Sequence, residues 1–254
     1  TIIIDEVHMA KADVLKRMLT GPFAHCGIRW GLTGTVPKAD YEFMGIKCSI
    51  GEVVNKIAAK TLQDKGVLAN CNVNIIQTIE TKMFSNYQEE LKWLTTDDRR
   101  MSFLAQTIKS ISSSGNTLIL VDRISAGQTL NKKLPGSVFI SGSTKNPDRK
   151  EQYDEVSTAT NKIIIATYGV ASVGINIPRI FNLVLIEPGK SFVRVIQSIG
   201  RGIRKAKDKD HVEIWDITSS CKFAKRHLTQ RKKFYKEANY PYNIEKIDYE
   251  NSFT

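Results

Sequence analysis

A chain of 254 residues with 41% apolar and 25% charged residues has the material for one large or two modest packed domains, which excludes a disordered chain. The formal charge of +11, from 37 Lys and Arg against 26 Asp and Glu, favours an anionic partner, with nucleic acid ahead of membrane. No apolar run approaches the roughly 18 to 20 residues of a bilayer span and no charged and apolar leader opens the sequence, so no membrane partner and a cytoplasmic location are expected.

Ile2–Ile4 is apolar and runs into Asp5-Glu6, the pattern of a buried parallel strand that delivers carboxylates to its carboxyl edge, where open α/β sheets bind ligands. An amphipathic helix is expected near Lys11–Thr20. A strand follows at Ile28–Leu32, running into a turn over Thr33–Pro37. Val53–Lys65 reads as a helix stopped by Gly66, and Cys71–Ile79 as a strand. Between Thr81 and Arg100 the composition turns polar and charged. The expected division is therefore a first domain over 1–82, a linker over 83–98 and a second domain over 99–254 with a basic helical tail.

Phe103–Ile111 reads as a helix stopped by the Ser-rich segment before Asn116, ahead of a buried strand at Thr117–Val121. Strands at Val138–Ile140, Lys162–Ala166, Leu183–Ile186 and Val212–Asp216 alternate with helical stretches near Ala126–Leu134, Arg149–Ser157 and Val193–Ile199. Apolar strands alternating with helices predict an α/β fold, with parallel sheets covered by helices on both faces. Cys26, Cys48, Cys71 and Cys221 lie too far apart for a compact zinc pattern, and reduced interior thiols are expected.

Adjacent acids on a rigid strand end suit magnesium at Asp5 and an attacking water at Glu6. Arg201 and Arg204, three apart in a Gly-punctuated segment, share one helical face and can meet one anion together. Thr167 stands where a strand gives way to a helix, so its hydroxyl and the following amides can face a phosphate. In the tail, Arg231, Lys232 and Lys233 fall beside Phe234 and Tyr235. That arrangement reads either as a phosphate-tracking face or as a solvated charged one.

Taken in chain order, these segments resemble the motifs of superfamily 2 helicases in their DExH form. Asp5-Glu6-Val7-His8 is similar to motif II, Gly31–Thr35 to motif III, and Leu118–Arg123 to motif IV with the loop from Ile140 through Ser141, Gly142, Thr144 and Arg149. Ile163–Gly169 with Ser172–Pro178 is similar to motif V, and Gln197, Gly200, Arg201 and Arg204 reproduce the QxxGRxxR form of motif VI. The resemblance implies a partial first RecA-like domain, a complete second one, and ATP with Mg2+ as cofactors. By resemblance Asp5, Glu6, His8, Gln197, Arg201 and Arg204 are catalytic, with Asp5 also the metal residue. Thr33, Thr35, Gly174 and Asn176 contact nucleotide, and Arg123, Ser141, Gly142, Thr144, Arg149 and Thr167 contact nucleic acid. Asn176 departs from the Asp that many members carry.

Within the superfamily the likeness points to phage recombination helicases. It implies action on branched, single- and double-stranded DNA, and on RNA within RNA–DNA hybrids, by fork regression, branch migration and R-loop unwinding. No GxxxxGK[ST] segment occurs in the sequence, so an upstream P-loop half is the expected partner for hydrolysis. An RNA helicase, a double-strand translocase and a non-catalytic nucleic-acid-binding module are the alternative readings.

Overall fold

The computed structural model describes residues 1–9, 12–34, 36, 40–142, 160–170, 179–189 and 210–250. In the amino-terminal part, β1 (Ile2–Ile4) pairs in parallel with β2 (Arg29–Gly31), Ile3 standing opposite Trp30. A short 3-10 turn over Val7–Met9 and helix α1 (Ala12–Thr20) lie between the strands, and α2 (Asp40–Ser49) follows them. Leu15 and Leu19, one helical turn apart, bury with Val7 against Ile2, Ile4, Ile46 and Ile50. The Arg29 guanidinium donates to the carbonyls of Cys26, Leu19 and Ser49 at 3.0, 3.0 and 3.3 Å. Leu19 and Ser49 lie in the last turns of α1 and α2, so one cation satisfies carbonyls that helix geometry leaves open. Ile28, Trp30 and Leu32 alternate onto one face of β2 and stay 58, 50 and 52% exposed.

The remainder begins with α3 (Ala59–Asp64) and β3 (Asn70–Thr78), followed by α4 (Tyr87–Leu94), α5 (Asp98–Ser112), β4 (Thr117–Val121) and α6 (Ile124–Lys133). Strands β5 (Val138–Ile140), β6 (Ile163–Thr167), β7 (Asn182–Ile186) and β8 (His211–Ser219) come next, then helix α7 (Lys222–Glu237) and strand β9 (Tyr242–Ile247). Among the described residues the strands form one sheet in the order β5-β6-β4-β7-β8-β3-β9, every pairing parallel.

Period-two alternation splits the core between the faces of this sheet. Leu118 and Leu120 of β4 pack with Cys71, Val73 and Ile75 of β3 and with Leu228 and Tyr235 of α7. Ile119 and Val121 point the other way, into Met101, Leu104 and Ile108 of α5 and Leu130 of α6. The α/β parallel architecture expected from the sequence is therefore present, with helices on both faces.

The division of the chain falls elsewhere than expected. It separates into two compact units at Thr1–Ile57 and Ala58–Thr254, because β3 pairs with β8 and β9 inside the large sheet. The expected linker over 83–98 is largely α4, whose N-cap Asn86 accepts from the Glu89 amide and whose Leu91 and Leu94 are buried. The helix expected over Val53–Lys65 is shortened to α3. Its β-branched start, Val53, Val54 and Ile57, is non-helical and exposed, in line with the poor helix propensity of such residues. Helix α2 and strand β9 had no counterpart among the expected elements. The stretches near Arg149–Ser157 and Val193–Ile199 lie outside the described residues. Of the four thiols, Cys71 and Cys221 are buried as expected, whereas Cys26 is half-buried and Cys48 exposed.

Gly115, in the bend between α5 and β4, has φ +146, and a Cβ added there would sit 2.8 to 2.9 Å from the Phe181 side chain. Backbone strain and overpacking both act on Gly115→Ala, which should destabilise the second unit by about 2 to 4 kcal/mol in urea unfolding.

Candidate nucleotide and nucleic-acid site

The chain leaves β1 through a turn that Glu6 makes in the left-handed region, at φ 49. That conformation costs a non-glycine residue about 1 to 2 kcal/mol. Here the Glu6 amide donates to Asp5 Oδ1 at 2.8 Å, and backbone bonds from Leu32 to Ile4 at 2.8 Å and from Val7 to Leu32 at 3.0 Å hold the turn against the end of β2. Gly31 lets the two segments close, since a Cβ there would lie 3.1 Å from Val7 Cγ1.

Both carboxylates of the turn are exposed, while the His8 side chain is only 4% exposed. Its Nδ1 lies 2.7 Å from Thr33 Oγ1 and 3.4 Å from Glu6 Oε2. His8 and Thr33 thus join the acidic turn to the residues after β2, and a buried, hydrogen-bonded imidazole holds position rather than meeting solvent. Thr35 lies outside the described residues.

Among the described residues no group of three or more His, Cys, Asp or Glu could cage a metal. The exposed Asp5 carboxylate fits magnesium, which takes one or two carboxylates and completes its shell with water and phosphate oxygens.

In the second unit every strand is parallel, so all carboxyl ends meet one edge. The structure brings Ser141 and Gly142 after β5, Thr167 at the end of β6, and Arg123 after β4 to adjacent positions along it. Ser141 is buried, Thr167 and Arg123 are half-buried and Gly142 is exposed. Arg123 Nη2 donates to Gln88 Oε1 of α4 at 2.7 Å. Thr144, Arg149, Gly174, Asn176, Gln197, Arg201 and Arg204 lie outside the described residues.

The tail expectation needs correction at Arg231. That guanidinium is 1% exposed and turned into the fold, where it cannot reach a phosphate backbone. Lys232 is half-buried and Lys233 exposed, so of the three only these two face outward.

Residues 99–206 match the helicase conserved C-terminal domain. That match, together with the relatives and the solved structure that follow, makes the chain similar to the C-terminal portion of helicases. It is 26% identical over 241 residues to the ATP-dependent DNA helicase uvsW of Enterobacteria phage T4, covering 91% of this chain and 48% of that protein. A putative helicase of Sulfolobus islandicus filamentous virus is 25% identical over 242 residues, covering 85% of this chain and 42% of the relative. The chain thus spans about half the length of the curated relatives it matches. The crystal structure of T4 UvsW superposes with a TM-score of 0.62 at 21% identity, over 97% of this chain and 53% of that one. At that identity the superposition speaks to the fold alone.

Within the second unit lies a dense polar network that the sequence reading missed. Arg231 Nε and Nη2 donate to the two Asp216 oxygens at 2.8 Å each, Nη1 donates to the Gly189 carbonyl at 2.7 Å, and the Tyr235 hydroxyl donates to Asp216 Oδ2 at 2.7 Å. Nearby, Arg100 Nη2 donates to Glu187 Oε1 at 2.8 Å and Nε to Glu80 Oε1 at 3.2 Å. Thr218 and Tyr249 donate to the second oxygens of Glu187 and Glu80 at 3.1 and 3.0 Å. Glu187 and Gly189 turn with φ 43 and 69, so both guanidinium groups grip the bend that follows β7. Glu90 of α4 caps α7, accepting from the Phe223 and Ala224 amides at 3.0 and 2.6 Å.

Two signals pointed this way. Asp216 is an acid set between Trp215 and Ile217 on β8, and an acid in an apolar stretch requires a buried partner. Arg231 also falls on the stripe Ala224, Leu228, Arg231, Tyr235, which is the buried face of α7.

Truncating one partner of a buried ion pair leaves the other uncompensated. Arg231→Ala is therefore expected to cost about 3 to 5 kcal/mol of stability by urea unfolding, far beyond any surface lysine.

Burial pushes the Glu187 carboxyl up to about 7 from 4.5, outweighing the opposing pull of Arg100 and Arg231. Between those pH values the unfolded chain has released the proton while the folded chain keeps it, so stability falls as pH rises through the window. The difference between the folded and ordinary values corresponds to about 3 kcal/mol. Glu187→Gln should remove that slope. The unfolding free energy of the variant minus that of the wild type should rise by about this amount from pH 4.5 to 7 in urea titrations.

Proposed function

We propose that this chain is the carboxyl-terminal working part of an ATP-dependent DNA helicase or translocase. It acts on branched DNA, by fork regression, branch migration and R-loop unwinding, in phage recombination, replication and repair. The observation that carries the reading is the acidic turn. Two solvent-facing carboxylates stand at the carboxyl end of a parallel strand, and one of them, Glu6, lies 3.4 Å from the His8 ring that contacts Thr33 after the neighbouring strand. A solvated loop needs no such bracing, whereas a phosphoryl-transfer site needs its acids held in place. The ordered motif segments and the match over residues 99–206 support the same reading.

In this function Asp5 would hold magnesium, which would supply neutralisation of charge on the nucleotide's phosphates. Glu6 orients the attacking water and accepts its proton, while His8 and Thr33 keep the turn in register with β2. Thr35, Gly174 and Asn176 contact nucleotide. Gln197, Arg201 and Arg204 face the charge that develops on the transferred phosphoryl group, and Ser141, Gly142, Thr144, Arg149, Thr167 and Arg123 follow the nucleic-acid backbone. Residues 1–254 contain no phosphate-cradling GxxxxGK[ST] loop, so hydrolysis requires a P-loop polypeptide. The exposed apolar row of Ile28, Trp30 and Leu32 supports such a partner on the β1–β2 sheet, because parallel sheets are ordinarily covered on both faces.

The test is reconstitution. The chain joined to a P-loop half is expected to hydrolyse ATP in a DNA-stimulated manner, and the chain alone is not. Glu6→Gln and Arg201→Ala should each lower the stimulated rate at least about 10³-fold, the scale of a catalytic arginine in phosphoryl transfer. Retained turnover in either variant removes that residue from the site. Stimulation by RNA but not by DNA would make the protein an RNA helicase.

A further inference from the structure

Helix α7 and the edge strand β9 enclose a groove of about 590 Å³ that none of the helicase motif segments lines. Lys225, Leu228, Thr229 and Lys232 face it from α7, at the i, i+3, i+4, i+7 spacing of a single helical stripe, and Ile244 and Lys246 face it from β9. Alternation along β9 puts Ile244 and Lys246 on the groove side and turns the acid of that strand, Glu245, to the opposite face. Lys225 and Lys246 are exposed and Lys232 is half-buried, and among the described residues none of the three ammonium groups is paired with a carboxylate. The result is three cations around a floor of Leu228 and Ile244.

The dimensions select the ligand. Lys225 and Lys232, seven residues apart, are separated along the helix by about 10.5 Å, close to the axial rise of three phosphates on one strand of duplex DNA at about 3.4 Å each. Apolar side chains between the cations can take the sugar edges while the lysine stems lie along them. Lys246 sits one residue before the end of β9, so the groove opens on the same edge of the sheet as Thr167 and Arg123. Five strand positions separate β6 from β9, or about 24 Å at the usual strand spacing, too far for one nucleotide to serve both places.

We infer that Lys225, Lys232 and Lys246 form a second nucleic-acid contact, holding the phosphate backbone of a duplex arm while the β5–β6–β4 end of the edge engages a strand. This inference rests on the branched-DNA function proposed above. It replaces the buried Arg231 with Lys225 and Lys246 as partners of Lys232, and it gives a junction two separated points of grip on one domain.

The test compares a forked DNA with a single strand by fluorescence anisotropy over a range of salt. The variant K225E/K232E/K246E is set against a control of equal charge change, K65E/K109E/K132E, made at exposed lysines outside the groove. The groove variant should weaken fork binding at least tenfold, leave single-strand binding within about twofold, and flatten the salt dependence by about 2.7 in slope, at 0.9 per lost phosphate contact. If charge reversal lowers Tm, the triple Lys→Gln variant is read instead, with the same slope change expected. Fork affinity and slope equal to those of the control overturn the groove while leaving the helicase reading intact. Equal losses on fork and single strand overturn the duplex-arm assignment. A wild-type chain that binds neither DNA defeats the proposed function and the groove with it.

Discussion

A charge placed inside an apolar sheet has to be answered from inside the protein, and the Asp216–Arg231 pair is the answer around which the second unit is arranged. Asp216 lies on β8, between β7 and β3 in the sheet, and its carboxylate accepts three hydrogen bonds from α7. Those bonds fix the rotation of α7 about its own axis. With Arg231 turned inward, Leu228 and Tyr235 fall on the core, and the exposed cations of the helix are left on the outer side. The third arm of the same guanidinium holds the Gly189 carbonyl, so the bend leaving β7 is anchored to the helix that follows β8. Arg100 repeats the device from the other face, linking α5 to Glu187 and Glu80. Two cations thus set the path of the chain where it enters the segment that carries Gln197, Arg201 and Arg204.

The amino-terminal unit applies the same economy with smaller groups. Arg29 gathers carbonyls from the ends of α1 and α2, and the His8–Thr33 contact ties the acidic turn to the end of β2. In each unit the polar bracing is inward, while Asp5, Glu6 and Gly142 are exposed and Thr167 and Arg123 half-buried at strand ends. This is the arrangement a strand-end site requires, because exposed carboxylates and hydroxyls can act on a ligand only if something behind them resists displacement.

Much of the fold was legible because buried parallel strands announce themselves. Thr117–Val121, Val138–Ile140 and Leu183–Ile186 were read within a residue, since unbroken apolar runs of that length between turn signals have few alternatives, and β8 was read over its first part from Val212, Ile214 and Trp215. The stretch around residues 83–98 misled because polarity was taken for exposure. Glu90 and Arg100 are charged and fully buried, each satisfied by partners distant in sequence. Helix α4 had left its own signature, with Asn86 as cap and Leu91 and Leu94 on one face. Strand β9 was hidden by the basic tail before it, although Tyr242 and Ile244 alternate as an edge strand should.

The sequence by itself determined the fold class, the order of the motif segments and the chemistry available to them, because residue type and spacing fix which groups can be acids, hydroxyls or cations at strand ends. Tertiary structure alone decided which of the charged groups are free to act. Whether Arg231 meets solvent or Asp216, and whether β3 belongs to the first unit or the second, depends on pairings between residues far apart in the chain. Burial, unlike periodicity, is a property of the partner as much as of the residue itself.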